Sequence, residues 1–347
     1  LVGRGLLFDP DEPSLPAAAP APPKLRELAD NVTSGGPPKD GIPPIDEPHF
    51  SSATDAGFLD DDDVVFGIAQ EGEARAYPQL VLVWHEIVND RFPDGPLSVT
   101  YCPLTGSTVG LRGIGPNGKP YTFGTSGDLV NSNLLMYDRQ TDSRWPQILG
   151  QAITGPATGR KLAEVPLDWT TWGRWRSMHP DTVVLSTKTG YIRDYGSDPY
   201  GSYTPLGGYY DSGGLYFPVL HESDRFPAKE VFVGVKLDRA RMAVRKGTLR
   251  ERRVVEESMG EQLVALLYDP ELDVGRAYVA DAGGSVVRLR RGDEPGRYVD
   301  ALSRTVFDAS GSAVSGPLAG RRLERVASYD VMWFAWAAFF PDTQVVA

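Results

Sequence analysis

Cysteine is almost missing. The single copy, Cys102, in 347 residues excludes an internal disulfide framework, a Cys-x-x-Cys redox pair and a cysteine-rich zinc site. Histidine is scarce: there are four, and a three-histidine metal site would consume most of them. No apolar run reaches the roughly 18 residues that a membrane-spanning helix needs. Positive charge is in deficit, with 35 Lys and Arg against 46 Asp and Glu, a net −11. That balance argues against a nucleic-acid binder, which meets phosphates with a basic face, and against docking on anionic lipid. Catalytic triad, P-loop, dinucleotide fingerprint and zinc motif are all lacking. What remains is an ordinary globular composition, 41% hydrophobic and 23% charged, in a chain long enough for about two domains.

Residues 9–44, opening on "DPDEPSLPAAAPAPPKL", are dominated by Pro, Ala, Gly and charge. Proline removes backbone donors and fixes φ, so residues 1–44 read as an extended, solvated tether. A tether behind a chain that begins at Leu1 leads to an expectation of export, with an anchor or signal upstream and an extracytoplasmic (periplasmic or cell-surface) location. From Asp60 onward short apolar runs alternate with Gly-rich turns, the pattern of strands. "QLVLVWHEIVND" after Pro78 reads as a short helix, and "DWTTWGRWRSMHP" as another with Trp172 and Trp175 on one face.

The strongest pattern is internal. "VVFGIAQEGEARAYP" from Val64 resembles "VFVGVKLDRARMAVR" from Val231, and "LSVTYCP" resembles "VALLYDP", both 167 residues on. "AITGPATGRKLAEV" resembles "AVSGPLAGRRLERV", and "TWGRWRSMHPDTVVL" resembles "MWFAWAAFFPDTQVV", both 161 residues on. The expected fold is α+β and β-rich, two tandem related halves from an internal duplication behind the tether. The expected divisions are 1–44, a first, functional half 45–205, and a degenerate, scaffolding half 206–347. Residues in the first copy alone are the candidates for chemistry: His85, Cys102 and His179, opposite Arg252, Asp269 and Phe340.

Cys102 ends a buried strand ahead of "PLTGS", a loop able to converge backbone N–H groups on an anion. As a thiolate it would serve as nucleophile, with His85 as general base. Cys102, His85 and Met136 would also make a soft, copper-like donor set. The plain alternative for both Cys102 and His85 is packing. Ser126, Asn131, Asn133, Asp138, Arg139 and Trp145 lie in an unusually polar stretch and would line a ligand pocket, or else fill tight turns. Tyr195, Tyr200, Tyr203, Tyr209 and Tyr210 belong to a Gly-rich loop suited to protein or sugar recognition, or to wrapping its own domain.

In order along the chain, "DGIPPIDEPHF", "EARAYP", "WHEIVND", "VTYCPLTGS", "FGTSGDLVNSNLLMYDRQTDSRW", "GPATG" and "HPDTVVLSTKTGYIRDYGSDPY" resemble the domain of unknown function 3179 family, over roughly residues 40–347. The resemblance implies a bacterial or archaeal protein, often with an export signal or lipid anchor, in a family without an established activity. Many members carry a second cysteine where this sequence has Thr105, so a thiol pair is not available here. The leading functional expectation is an extracytoplasmic binding or accessory protein, docked on a larger membrane assembly, without a cofactor. The alternatives are an enzyme at Cys102 and His85, and a mononuclear copper-like site.

Overall fold

The structure, a computed structural model, describes residues 23–70 and 72–347. It is β-rich with few helices, the α+β class read from the sequence. Strands Val64–Gln70 and Glu73–Pro78 form a hairpin, whose turn residue Glu71 lies outside the described residues. A single helical turn, Gln79–Leu82, leads into strands Ile87–Phe92, Gly95–Cys102 and Ser107–Arg112. Strand Asp168–Thr171 returns to pair with Val64–Gln70 and runs into helix Trp172–Met178.

The same order recurs later in the chain. Hairpin Val231–Leu237 with Ala240–Arg245, helix Lys246–Arg252 and strands Val254–Met259, Gln262–Asp269 and Val274–Val279 are followed by strand Arg325–Met332 and helix Trp333–Phe339. The registers also recur. Asp168 pairs with Gly67 and Thr171 with Val64; Tyr329 pairs with Gly234 and Met332 with Val231. The parallel pairs Val183–Arg75 and Gln344–Met242 match in the same way. One difference has a simple cause. Arg325–Met332 is continuous and joins its half into one seven-stranded sheet. Pro166 stands where the second half has Ala327. Lacking an N–H, it splits the first-half strand into Ala163–Val165 and Asp168–Thr171, leaving separate sheets.

The shared Gly, Trp and Pro-Asp-Thr positions form one packing device. A Cβ on Gly67 would stand 2.2 Å from Cζ3 of Trp175, and one on Gly234 would stand 2.3 Å from Cζ3 of Trp336. Each indole therefore lies on bare backbone. Trp175 Nε1 donates to Thr182 Oγ1, and Trp336 Nε1 to Thr343 Oγ1, both at 2.9 Å. A buried indole N–H needs such a partner. His179 packs tilted against Trp175 at 4.1 Å as Phe340 does against Trp336 at 4.6 Å, so this histidine fills a ring-packing position.

Several expectations need correction. Residues 23–44 are no free tether. Pro23–Asp30 is a helix opening on its proline, with Leu25 and Leu28 buried in the core. Thr33 and Ser34 then pair with Leu129 and Asp128. Residues 1–22 lie outside the described residues. "WHEIVND" is helical only at its approach: both His85 N and Glu86 N reach Leu82 O, and β-branched Ile87 and Val88 then enter a strand. The 205/206 division falls inside the hairpin Gly201–Tyr203 with Leu206–Gly208. From there to Leu220 the chain bonds back to the first half, with Tyr209 Oη donating to Leu104 O and Leu220 N to Asn131 Oδ1, both at 2.8 Å.

The halves grip each other reciprocally. Met332 N donates to Thr105 O at 3.0 Å, and Thr170 Oγ1 to Leu272 O at 2.5 Å. The end of each half's returning strand is thus seated in the other half's turn. Around this seam lies a buried ion cluster: Asp168 accepts from Arg276 at 2.6 Å and from Arg325 at 2.7 Å, while Arg276 also reaches Asp269 at 2.7 Å. Lys236 pairs with Glu164 at 2.6 Å across the same seam.

Candidate functional site

Cys102 sits at the end of its strand, 1% exposed. Its sulfur accepts from Leu134 N at 3.4 Å and faces Ser132 O at 3.9 Å. Burial, reinforced by nearby Glu86, pushes the thiol pKa up to about 11. The second-half residue at this place, Asp269, caps its turn by accepting from Glu271 N and Leu272 N. Cys102 occupies a turn-capping position and is held as a neutral thiol.

His85 is also fully engaged. Nδ1 lies 2.6 Å from Pro43 O and Nε2 2.7 Å from Tyr195 Oη. A carbonyl only accepts, so Nδ1 carries the proton and Nε2 receives the tyrosine O–H. Burial lowers the ring's pKa, so it stays neutral. Among the described residues no hydrogen bond joins His85 to Cys102, and the expected base–nucleophile pair is not assembled. With its Nε2 lone pair taken, His85 is not a free metal donor either. Met136 lies in strand Asn133–Asp138, facing Trp145 and Thr125 in register. No cluster of three or more His, Cys, Asp or Glu among the described residues is placed to hold a metal ion.

The residue that does meet Cys102 electrostatically is Glu86. The turn at Pro93–Gly95 folds Ile87–Phe92 onto Gly95–Cys102, so Glu86 O accepts from Tyr101 N at 2.8 Å. "PDG" between two apolar runs was the signal that could have placed it there. Glu86 is 7% exposed, has φ 59°, and has no side-chain hydrogen bond among the described residues. Burial raises its pKa to about 8.

The polar stretch builds structure. Asn131 and Ser132, with φ 52° and 58°, make the two-residue turn between strands Phe123–Val130 and Asn133–Asp138. Asn133, with Thr105, Ser107 and Gln147, closes a buried network. Ser126 Oγ donates to Leu135 O, and Arg139 pairs with Asp46 at 2.6 Å. Asp138 accepts from Thr141 N at 2.5 Å and Trp145 Nε1 at 2.8 Å. Asp300 does the same for Ser303 N at 2.8 Å, so this hairpin has a second-half counterpart that its sequence conceals. These residues line turns and core, not a pocket.

The five loop tyrosines pack against their own domain, Tyr209 and Tyr210 buried and Tyr195, Tyr200 and Tyr203 half-buried. Tyr209 and Tyr210 are 2% and 3% exposed. Tyr203 stacks on Tyr210 at 3.9 Å, Tyr195 holds His85, and Tyr200 packs against the core. They do not form a partner surface. The exposed apolar tips of this loop are Tyr191, Ile192, Leu206 and Tyr216.

An open feature lies elsewhere, at the junction of the halves: a cleft of about 640 Å³, one of several among the described residues. Equivalent positions of the two halves meet in it: Val64 and Val231, Thr171 and Met332, Trp169 and Asp330, Gly106 and Asp273. The cleft is thus lined from both of the similar segments. Helix Lys246–Arg252 adds Lys246, Gly247 and Arg250. More than half of the lining, eleven of nineteen residues, comes from the part of the chain expected to be scaffold. No sequence motif marks it, because its residues come from many separate elements.

A family model described as a protein of unknown function (DUF3179) matches residues 39–343. The chain belongs to the DUF3179 family. Neither the curated proteins nor the solved structures contain a match. Among the described residues of this DUF3179 protein, no helix is long and apolar enough to cross a membrane.

The thiol's state is directly measurable. With a pKa near 11, about one Cys102 in ten thousand is ionised at pH 7. A thiol reagent is therefore expected to label the native protein only as fast as it unfolds. Rapid stoichiometric labelling of folded protein at pH 7 would refute the packing role.

Proposed function

We propose that this DUF3179 protein is a binding or accessory protein of the cell exterior, built from two copies of one unit, with its ligand held where the copies meet. The observation that carries the reading is the cleft at the junction, into which matched positions of both halves project with different chemistry. Between-domain clefts are common ligand sites. Tied-up His85 and neutral Cys102 support a binding role over thiol catalysis. The recurring registers and the two Gly–Trp pairs support the duplication. The net charge of −11 and the Pro- and Ala-rich residues 9–22 support export, and docking on a membrane assembly is the finer form of the same reading.

Gly247 offers a clean test, because a Cβ there meets nothing within 4 Å. Gly247→Trp should fill the cleft and leave the fold intact. Protein isolated gently from its native host is examined by native mass spectrometry. Wild type and Cys102→Ser are expected to carry a bound molecule that Gly247→Trp lacks. An empty wild type, or a ligand lost on Cys102→Ser and kept by Gly247→Trp, contradicts the reading. Location is tested by fractionating cells, with the chain expected in the periplasmic or envelope fraction; recovery from the cytoplasm alone contradicts export.

A further inference from the structure

The charge of the cleft is opposite in sign to that of the chain. Three carboxylates line it, and each has its own cation. Asp330 is paired with Lys246, Asp273 with Arg250, and Glu230 with Arg245 at 2.5 Å. Two further cations line it with no carboxylate partner among the described residues. Lys229 is held by Tyr209 O and by Ser212 Oγ at 2.8 Å, above the Tyr209 ring. Arg174 donates through Nη1 to Pro270 O and Glu271 O, both at 2.9 Å. Carbonyl and hydroxyl oxygens orient these groups without neutralising them, and each keeps donors to spare. In a protein of net charge −11, two uncompensated cations in one cleft are a specific arrangement.

The wall beside them is aromatic. Trp169 is fixed edge-on by Phe66 at 4.8 Å and by Tyr203 at 5.2 Å, and both Trp169 and Tyr203 line the cleft. The second half has Asp330 at the position equivalent to Trp169, so only one side of the cleft offers a ring.

We infer that the cleft takes a planar apolar molecule carrying an anionic group, its ring in the corner of Trp169 and Tyr203, flat against one and edge-on to the other, and its charge toward Lys229 and Arg174. This rests on the cleft being the binding site. An aromatic carboxylate is the simplest member of the class. A ring contributes by contact and stacking, and charge-assisted hydrogen bonds fix the anion. The fit is selective by sign below about pH 8, where Lys229, its pKa lowered by burial, still carries its proton and a cationic ligand would face two unneutralised positive groups.

The test uses the full chain, with the Trp169 indole N–H signal assigned by Trp169→Phe and titrated with three probes. Benzoate supplies ring and charge, acetate the charge alone, and benzamidine the ring with the opposite charge. Benzoate is expected to shift the Trp169 signal saturably, with acetate and benzamidine at least tenfold weaker. Lys229→Met and Arg174→Gln are each expected to weaken benzoate about tenfold. The two cations lie on different segments, so a folding defect in one variant leaves the other informative. Benzamidine binding as tightly as benzoate overturns the anion inference while leaving the cleft as a binding site. Failure of all three to move Trp169 overturns the inference, and the cleft reading is then decided separately by whether Gly247→Trp loses the molecule that wild type carries.

Discussion

Glu86→Gln is expected to stabilise the protein, by an amount that grows with pH. The Glu86 carboxyl is buried without a hydrogen-bond partner among the described residues, and its pKa rises from 4.5 to about 8 on folding. Below pH 4.5 it is protonated in both the folded and unfolded chain and costs nothing. Between 4.5 and 8 the unfolded chain ionises while the folded one stays protonated, so native stability falls as pH rises. Above 8 the loss is complete, about 5 kcal/mol at 1.36 kcal/mol for each pH unit. Gln keeps the shape and cannot ionise. Urea denaturation should show the variant about as stable as wild type at pH 4.5, about 3 kcal/mol more stable at pH 7, and up to about 5 kcal/mol more stable at pH 9. Equal stability of the two proteins at pH 9 would mean that the carboxyl is solvated or paired.

Asp168→Ala is expected to act in the other direction and across the seam. It removes the carboxylate that faces both Arg276 and Arg325 and leaves Arg276 buried with Asp269. Breaking a buried ion cluster in this way costs about 3–5 kcal/mol, because the remaining charge stays desolvated. Coulombic attraction to Arg276 and Arg325 overrides burial and holds the Asp168 pKa well below the ordinary carboxylate range. Its contribution is therefore complete above about pH 4 and is lost as pH falls through the lowered pKa. Wild type should lose stability in acid through this group, and Asp168→Ala should not show that component. A loss below about 1 kcal/mol for Asp168→Ala would mean that the cluster is solvent-screened.

Some of this molecule was legible in its sequence because backbone geometry demands particular residues. Gly67 and Gly234 must lack a Cβ for Trp175 and Trp336 to lie on them, so the Gly–Trp spacing survives in both halves and marks them. The dominance of strands was legible for the same kind of reason. The N-terminal helix was missed because proline content was averaged over residues 9–44, whereas "PKLRELAD" has proline only at its first position and spaces Leu25 and Leu28 for burial. The loop tyrosines were misplaced because composition reports ring content and not the direction in which rings face. His85 and Cys102 drew attention because only the first copy carries them, but both fill packing positions. The residue with the larger electrostatic cost is Glu86, visible only once the hairpin sets it opposite Tyr101. The cleft was illegible because its residues become neighbours only when the two halves dock.

The most direct test of the cleft as the working site is hydrogen exchange, read by mass spectrometry, of the purified chain with and without the small-molecule fraction of its host's cell envelope. Slower exchange is expected around residues 169–174 and 246–250, the segments that carry Trp169, Arg174, Lys246 and Arg250 into the cleft, with residues 85–86 and 102–105 unchanged. Protection confined to 85–86 and 102–105, or no protection anywhere, would contradict the account.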